Sequence, residues 1–447
     1  MTNPKDWLER LKSRPATGNY WQDYRQREAV AVLEANENNG DWVALSAYGN
    51  GFVREAAVRR LLESPSPQAL AALLERLNDW VPQVRELAIE GVRPYLVQTQ
   101  AEALLYALKP LMALAKRQRT DHAPILAAAR AALLAPEVRV TLENAWRDSR
   151  GSEARFLFEL LVEDLEHRPQ LLRCAVSHAD MSVRRMAVQT CGELPAEQAV
   201  PPLVRALETP GASVRVMALR ALLGHSTEPH PYLQKALLDA STAVRALALW
   251  AAPRWNLDPR SVLRERLRLA PPQTKRAWLG ILGLAHDLKE TLDEAWLTAA
   301  QNAGPAAVRL ASLEWQADNI PMLVTALNDG SKRVFLRATE LLRKQSWAEV
   351  QTSLDERLVE AMDSGRRDAL VRLRPGWQQL AYLLRRLDAA SPEERASTLE
   401  RLSDWCLGQY LIVDPMTPKP QRDALLARVR ELEMSGTLPT GCTERLK

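Results

Sequence analysis

The chain has 447 residues, of which 47% are hydrophobic and 26% charged, and its formal net charge is only +4. That length exceeds one ordinary hydrophobic core and calls for several domains or one extended array, and so small a charge excess does not demand a nucleic-acid partner. Four cysteines (Cys174, Cys191, Cys406 and Cys442) lie far apart with no CxxC pair, which argues against a disulfide framework and for reduced thiols in a cytoplasmic protein.

Leu, Ala, Arg and Glu dominate while Phe is scarce, a composition that favours helix throughout. The N-terminus lacks the apolar core of a secretory signal. The most apolar stretch, `APILAAARAALLAP`, is too short to span a bilayer and carries Arg130. No membrane partner is expected.

In chain order, residues 1–40 predict a helix or two and a polar link, `EANENNGD`, together an N-terminal cap. A repeated word then sets in: `VREAAVRRLL` at Val53, `VRELAIEGV` at Val84, `VRRMAVQTC` at Val183, `VRVMALRALL` at Val214 and `VRALALWAA` at Val244. Val308 begins a copy with Ser312 in place of the alanine, and Val334 one with Phe335 in place of the arginine. The intervals from 53 to 84, 183 to 214 and 214 to 244 are 31, 31 and 30 residues. Weaker copies start at Ile125, Ala154 and Ala277, giving about ten units over 41–345 and a period typical of a solenoid.

At 100° per residue Val214, Met217, Ala218 and Leu222 share one helical face, and the alanine predicts close approach of a neighbouring helix. A second amphipathic segment precedes each word, as in `AVPPLVRALE`, and a polar turn such as `ETPGAS` joins the two. Each unit is thus a helical hairpin, and a hairpin buries both its faces only by stacking. Beyond this array, 346–410 predict a C-terminal helical region in which Ser391 caps a strong helix. Residues 411–447 predict the linker `VDPMTPKP`, a terminal helix and a mobile tail.

The Val-Arg word resembles that of HEAT-repeat proteins of the short bacterial kind. The resemblance implies an all-α, right-handed solenoid of stacked antiparallel hairpins, about ten repeats plus helical caps. It also implies a structural ladder between adjacent units, made by Asp79, Asp239 and Asp329 at turn ends and by Arg54, Arg85, Arg184, Arg215, Arg245 and Arg309 after the valines. Tyr48, His178, Thr209 and Ala303 stand at the aspartate position elsewhere and break the ladder.

No Walker loop, dinucleotide glycine pattern, zinc ribbon or HExxH occurs. `GNG` at 49–51 reads as a turn, `HSTEPHPY` as a loop without fixed ligand geometry, and Cys191 as a core thiol. The expectation is a non-enzymatic protein with no cofactor, no metal and no catalytic residues.

Positions two and six after each valine point away from the core and, by the resemblance, line the concave face. They read Glu86 and Glu90, then Arg185 and Gln189, Val216 and Arg220, and Trp250. Apolar and aromatic residues rimmed by arginine suit a protein partner. The resemblance therefore implies a scaffold or adaptor, in some relatives an immunity protein that wraps a toxin. The alternative is nucleic-acid binding, as in the HEAT-like alkylpurine DNA glycosylases, whose catalytic aspartate has no counterpart among these central positions. The basic runs at 260–276 and 366–374 read as solvated faces or as contacts to an acidic protein or phosphate backbone.

Overall fold

Each word sits on the second helix of a hairpin, and its buried positions explain why. The computed structural model describes residues 4–37, 40–359, 363–410, 412, 414 and 416–446. Asn38 and Asn39 of the polar link, and Val413 and Pro415 of the proline-rich linker, lie outside the described residues. Among the described residues every regular element is a helix. Val53, Val84, Val183 and Val214 are fully buried, as are the alanines four residues on, Ala57, Ala88, Ala187 and Ala218. Ser312, which replaces that alanine after Val308, is also buried and spends its hydroxyl on the Arg309 carbonyl at 2.7 Å.

The apolar stripe is wider than the sequence pattern predicts. Leu219 is fully buried whereas Met217 is only half-buried. The reason is that each second helix meets two neighbours. Ala212–His225 packs on its own first helix, Ala196–Ala206, and on the preceding second helix, Met181–Cys191. Pro82–Val92 does the same with Pro67–Arg76 and Gly51–Glu63. A helix held from two sides buries more than a narrow seam.

Side-chain caps fix where these helices start. Asn50 accepts from the Phe52 N–H, Asp180 from Ser182 and Val183, and Ser391 from Glu394. The `GNG` stretch is thus a turn that ends in a helix cap. Asn50 also donates to the Arg25 carbonyl at 2.7 Å, which ties that turn to the helix Tyr20–Ala35.

The chain divides into two compact units, Met1–Ala236 with Ala246–Leu257, and Leu237–Arg245 with Asp258–Lys447. In the first, the N-terminal helices Pro4–Lys12 and Tyr20–Ala35 close the stack by packing Leu8, Leu11, Ala29 and Leu33 against Val53 and Ala56. In the second, Lys332–Leu342 packs on Ile320–Ala326 and Ala306–Trp315. Its C-terminal helices gather around Trp377, Leu380, Leu402 and Cys406.

Contrary to the mobile tail expected from sequence, Leu438, Cys442 and Leu446 are buried in that last cluster. The Glu433 carboxylate holds the segment by accepting from the Thr443 hydroxyl and the Gly441 and Thr443 N–H groups. Those bonds, the Thr443 hydroxyl first, keep the Glu433 carboxyl below its ordinary range.

The weak copy at Ala277 has its own physical cause. A Cβ on Gly280 would lie 2.0 Å from the Leu238 carbonyl oxygen, and one on Gly283 would lie 2.4 Å from the Arg245 guanidinium carbon. The helix Lys275–Leu288 therefore presses on a turn and an arginine that no side chain could clear. Gly280→Ala is expected to cost about 2 kcal/mol or more, as overpacking does. Gly224→Ala, with nothing within 4 Å, is expected to be neutral or to gain a few tenths of a kcal/mol. Urea midpoints of the two variants test the contrast.

His122, just before the helix Ala123–Leu133, is buried with neither ring nitrogen hydrogen-bonded. Burial, aided by the Arg117 charge and opposed by Asp121, lowers its pKa. The unfolded chain therefore takes up this proton first as pH falls. The stability contribution of neutral His122 is complete above the unfolded value of about 6.5 and declines below it, with a limiting slope of about 1.4 kcal/mol per pH unit. Stability measured by urea between pH 7.5 and pH 5 is expected to fall less steeply in His122→Leu than in the native protein.

Candidate protein-binding surface

The arginine after each valine is anchored in the same way in every copy. Its Nη1 donates to the carbonyl six residues before it, at the turn of its own hairpin. Arg54 reaches Tyr48 at 3.0 Å, Arg85 reaches Asp79 at 2.6 Å, and Arg184 reaches His178 at 2.8 Å. Arg215 reaches Thr209 at 3.0 Å, Arg245 reaches Asp239 at 2.9 Å, and Arg309 reaches Ala303 at 2.8 Å. The second helix is thereby clamped to the turn that leads into it. Where Phe335 replaces the arginine, Arg366 stacks on the phenyl ring at 4.9 Å and donates to the Asp329 carbonyl at 2.7 Å. Asp329 is again six residues back.

The rest of the guanidinium extends toward the next hairpin. Arg54 makes a two-pronged pair with Asp79 at 2.8 and 2.9 Å, and Arg309 makes one with Asp329 at 2.6 and 2.8 Å. Each of these aspartates also caps its own turn, accepting from Val81 and Ser331 respectively. Asp239 likewise accepts from Ser241 at 2.7 Å and pairs with Arg276 at 2.9 Å. Burial opposes the Asp79 charge, but the Arg54 bonds, the Val81 N–H and the Arg54 charge outweigh it and hold the carboxyl below its ordinary range. Arg245 departs from the expected pattern, since its acid is Asp287 at 2.8 Å near the end of a helix.

Four copies lack the acid, as the sequence predicts; Tyr48 and Ala303 offer only their backbone carbonyls, to Arg54 and Arg309, and the other two turns are held differently. His178 stacks on Trp146 with ring centroids 4.8 Å apart. Its Nδ1 accepts from the Asp180 N–H, so Nε2 carries the proton and donates to the Trp146 carbonyl at 3.0 Å. Thr209 spends its hydroxyl on the Ala206 carbonyl. Arg184, which reaches this turn to within 3.8 Å of a Cβ built on Gly211, is buried with its Nε unpartnered.

Positions two and six after the valines are solvent-facing, as the pattern predicts. Glu86, Glu90, Arg185, Gln189 and Arg220 are exposed and Val216 is half-buried. Trp250 is 57% exposed. The Arg254 guanidinium lies 3.7 Å from the Trp250 ring centroid, and its Nη1 donates to the Trp250 carbonyl. Arg254 thus joins the candidate surface, a contact not read from the sequence although its spacing four residues after Trp250 signals such a stack.

Among the described residues Arg185 and Arg220 have no ion pair or side-chain hydrogen bond. Equivalent positions elsewhere are occupied. Glu55 accepts from the Trp7 indole at 2.8 Å and Arg59 pairs with Glu55, so the N-terminal helix covers the first copy. In the second unit Arg337 neutralises Glu314 at 2.7 Å and Glu340 at 2.6 Å.

The remaining motifs resolve into packing. Cys191 is a core thiol, pushed up to about 12 by burial. His225 meets the Gly192 carbonyl at 3.1 Å. Trp278 and Trp296 are buried edge to face, 5.5 Å apart. The basic runs are in part internal ties: Arg260 pairs with Glu290, Arg266 stacks on Trp296, and Arg374 pairs with Asp355 between the Trp347 and Tyr382 rings, whereas Arg264, Arg268 and Lys275 are exposed.

Residues 168–253 match the family model for HEAT repeats. The chain carries HEAT repeats. The matched stretch includes the clamps of Arg184, Arg215 and Arg245 and the exposed positions from Arg185 to Trp250. HEAT repeats in general act as protein-interaction scaffolds. No curated protein matches the chain. No helix among the described residues is long and apolar enough to cross a membrane.

The ladder makes a quantitative forecast. Asp79→Asn leaves the Arg54 charge buried without a counter-charge and is expected to cost about 3 kcal/mol. Thr209→Asp supplies the acid that Arg184 lacks and is expected to gain about 1–2 kcal/mol. Denaturant unfolding of both variants measures the values; an unchanged midpoint for Thr209→Asp would show that Arg184 needs no acid.

Proposed function

We propose that the protein is a non-enzymatic scaffold of the bacterial cytoplasm. In this reading it holds another protein on the inner face of the HEAT array, across the strip made by Arg185, Gln189, Val216, Arg220 and Trp250. The observation that carries this reading is the contrast in commitment. Arginines at these positions are unpaired and exposed, whereas the corresponding charges of the first and last copies are covered or neutralised within the chain. Tryptophan and arginine are the residue types that most often dominate a protein interface. Trp250, held flat by Arg254, presents a large rigid apolar surface at little entropic cost. The partner surface is acidic or mixed, and Glu86 and Glu90 offer it a second, oppositely charged contact. An immunity or regulatory role fits this arrangement.

The nucleic-acid reading rests on the same arginines beside a tryptophan. It lacks a carboxylate among the central exposed positions to act as the acid, and Arg260 and Arg374 of the basic runs that would extend it are engaged in pairs within the chain.

The test begins with partner capture from the native host by the wild-type protein and by Trp250→Ala, with mass spectrometry of what is lost. Calorimetry of the identified pair then follows. Trp250→Ala is expected to weaken binding by about 2 kcal/mol with little change in melting temperature. Arg185→Glu with Arg220→Glu is expected to slow association and flatten its salt dependence. Duplex DNA binding in physiological salt that requires Arg185 and Arg220, with release of an alkylated base, would replace the scaffold reading.

A further inference from the structure

A second feature of the first unit stands apart from that strip. Three inter-helix turns and the end of the helix Pro67–Arg76 line an open cleft of about 510 Å³, within the size range of small-molecule sites. Its wall carries four guanidiniums, Arg54, Arg76, Arg117 and Arg119, against two carboxylates, Glu75 and Asp79. The excess is two positive charges.

The carboxylates are already used. Asp79 accepts both prongs of Arg54 and the Val81 N–H, and Glu75 pairs with Arg117. Arg54 is saturated by Asp79 and the Tyr48 and Gly49 carbonyls. Arg76 is not. Its Nη1 sits 3.5 Å from Asp79, a long contact, and its Nε is buried without a partner. Arg119 donates one Nη1–H to the Asn78 carbonyl at 3.0 Å and is otherwise exposed at the rim. Burial and the Arg54 and Arg117 charges press against the Arg76 cation, with Asp79 and Glu75 offsetting them only in part, so its pKa is lowered. Crowded cations with spare planar donors are what a tetrahedral oxyanion satisfies. Beside them Trp80 is 62% exposed and carries Arg54 over its ring at 5.4 Å.

We propose that this cleft is a binding site for a phosphate-type dianion, held by Arg76 and Arg119, with the Arg117 charge behind them and Trp80 at its edge. The ligand is either free phosphate or the phosphate of a small molecule whose planar ring lies on Trp80.

The test uses the full chain with inorganic phosphate and with adenosine monophosphate, in chloride buffer at physiological ionic strength. Both ligands are expected to raise the melting temperature and to give saturable calorimetric binding. Arg119→Gln, an exposed position whose loss leaves the fold intact, is expected to weaken both ligands at least about tenfold. Arg76→Gln is expected to do the same, with its fold verified by circular dichroism. Arg130→Gln, outside the cleft, is expected to change nothing. Tighter binding of the nucleotide that Trp80→Ala brings down to the level of phosphate supports the ring-bearing source, and equal binding of the two supports the free anion. Absence of binding at millimolar concentration, or unchanged binding by Arg119→Gln and Arg76→Gln alike, overturns the site.

Discussion

A guanidinium held by a carbonyl six residues behind it is the contact on which the rest of this architecture depends. A hairpin of two short helices has no reason to keep one angle between them, since apolar packing is non-directional. The clamp supplies direction. It ties the start of each second helix to the turn before it, from Arg54 to Arg309, and it leaves the outer nitrogens of the same group aimed at the next hairpin. At Arg54 and Arg309, where an acid answers, one side chain thus fixes the angle within a unit and the register between units. The substitution at Phe335 shows how far the constraint reaches. The arginine is gone from its place, yet Arg366 arrives from a later helix to occupy the same carbonyl.

The fold was legible because its cause is local and repeated. Valine, arginine and alanine recur at one spacing, and each copy reports the same buried face, so errors in one unit are corrected by the next. The parts that resisted reading are those with a partner distant in sequence. Nothing near Gly280 announces that it lies against the Leu238 carbonyl, so a repeat that had lost its spelling looked merely degenerate. The tail resembled a solvated end because its apolar residues are sparse; Leu438, Cys442 and Leu446 are covered by Val429 and Leu432 of the preceding helix together with Trp377, Leu380, Leu402 and Cys406 from much earlier in the chain.

The candidate surface was half legible for the same reason. Helical phase places Arg185, Gln189, Arg220 and Trp250 on the solvent side without knowledge of any neighbour. Whether a charge there is free depends on what else the chain brings to it. Trp7 reaches Glu55 across 48 positions, and Arg337 reaches Glu314 across 23. The basic runs show the opposite failure. Their charge density looks like a surface for an external anion, yet Arg260, Arg366 and Arg374 serve internal contacts. Charge in a sequence counts ions without saying which of them are already paired.

The vacancy at Thr209 has a mechanical meaning as well as an energetic one. It lies in the turn of the hairpin whose second helix carries Arg220, beside Arg184 of the hairpin that carries Arg185. At Asp79 and Asp329 a two-pronged charged pair pins one turn to the next; at this joint side-chain packing and a hydrogen bond from Arg205 Nε to the Ser177 hydroxyl at 2.9 Å stand in its place. Packing of smooth apolar surfaces resists separation but yields to sliding more readily than a two-pronged ion pair does. Two exposed guanidiniums without ion pairs therefore sit on either side of a joint that no two-pronged pair stiffens. On the proposed reading, their separation can adjust to the spacing of acids on the partner's surface, and this stretch of the array would act as a caliper that is set by what it grips.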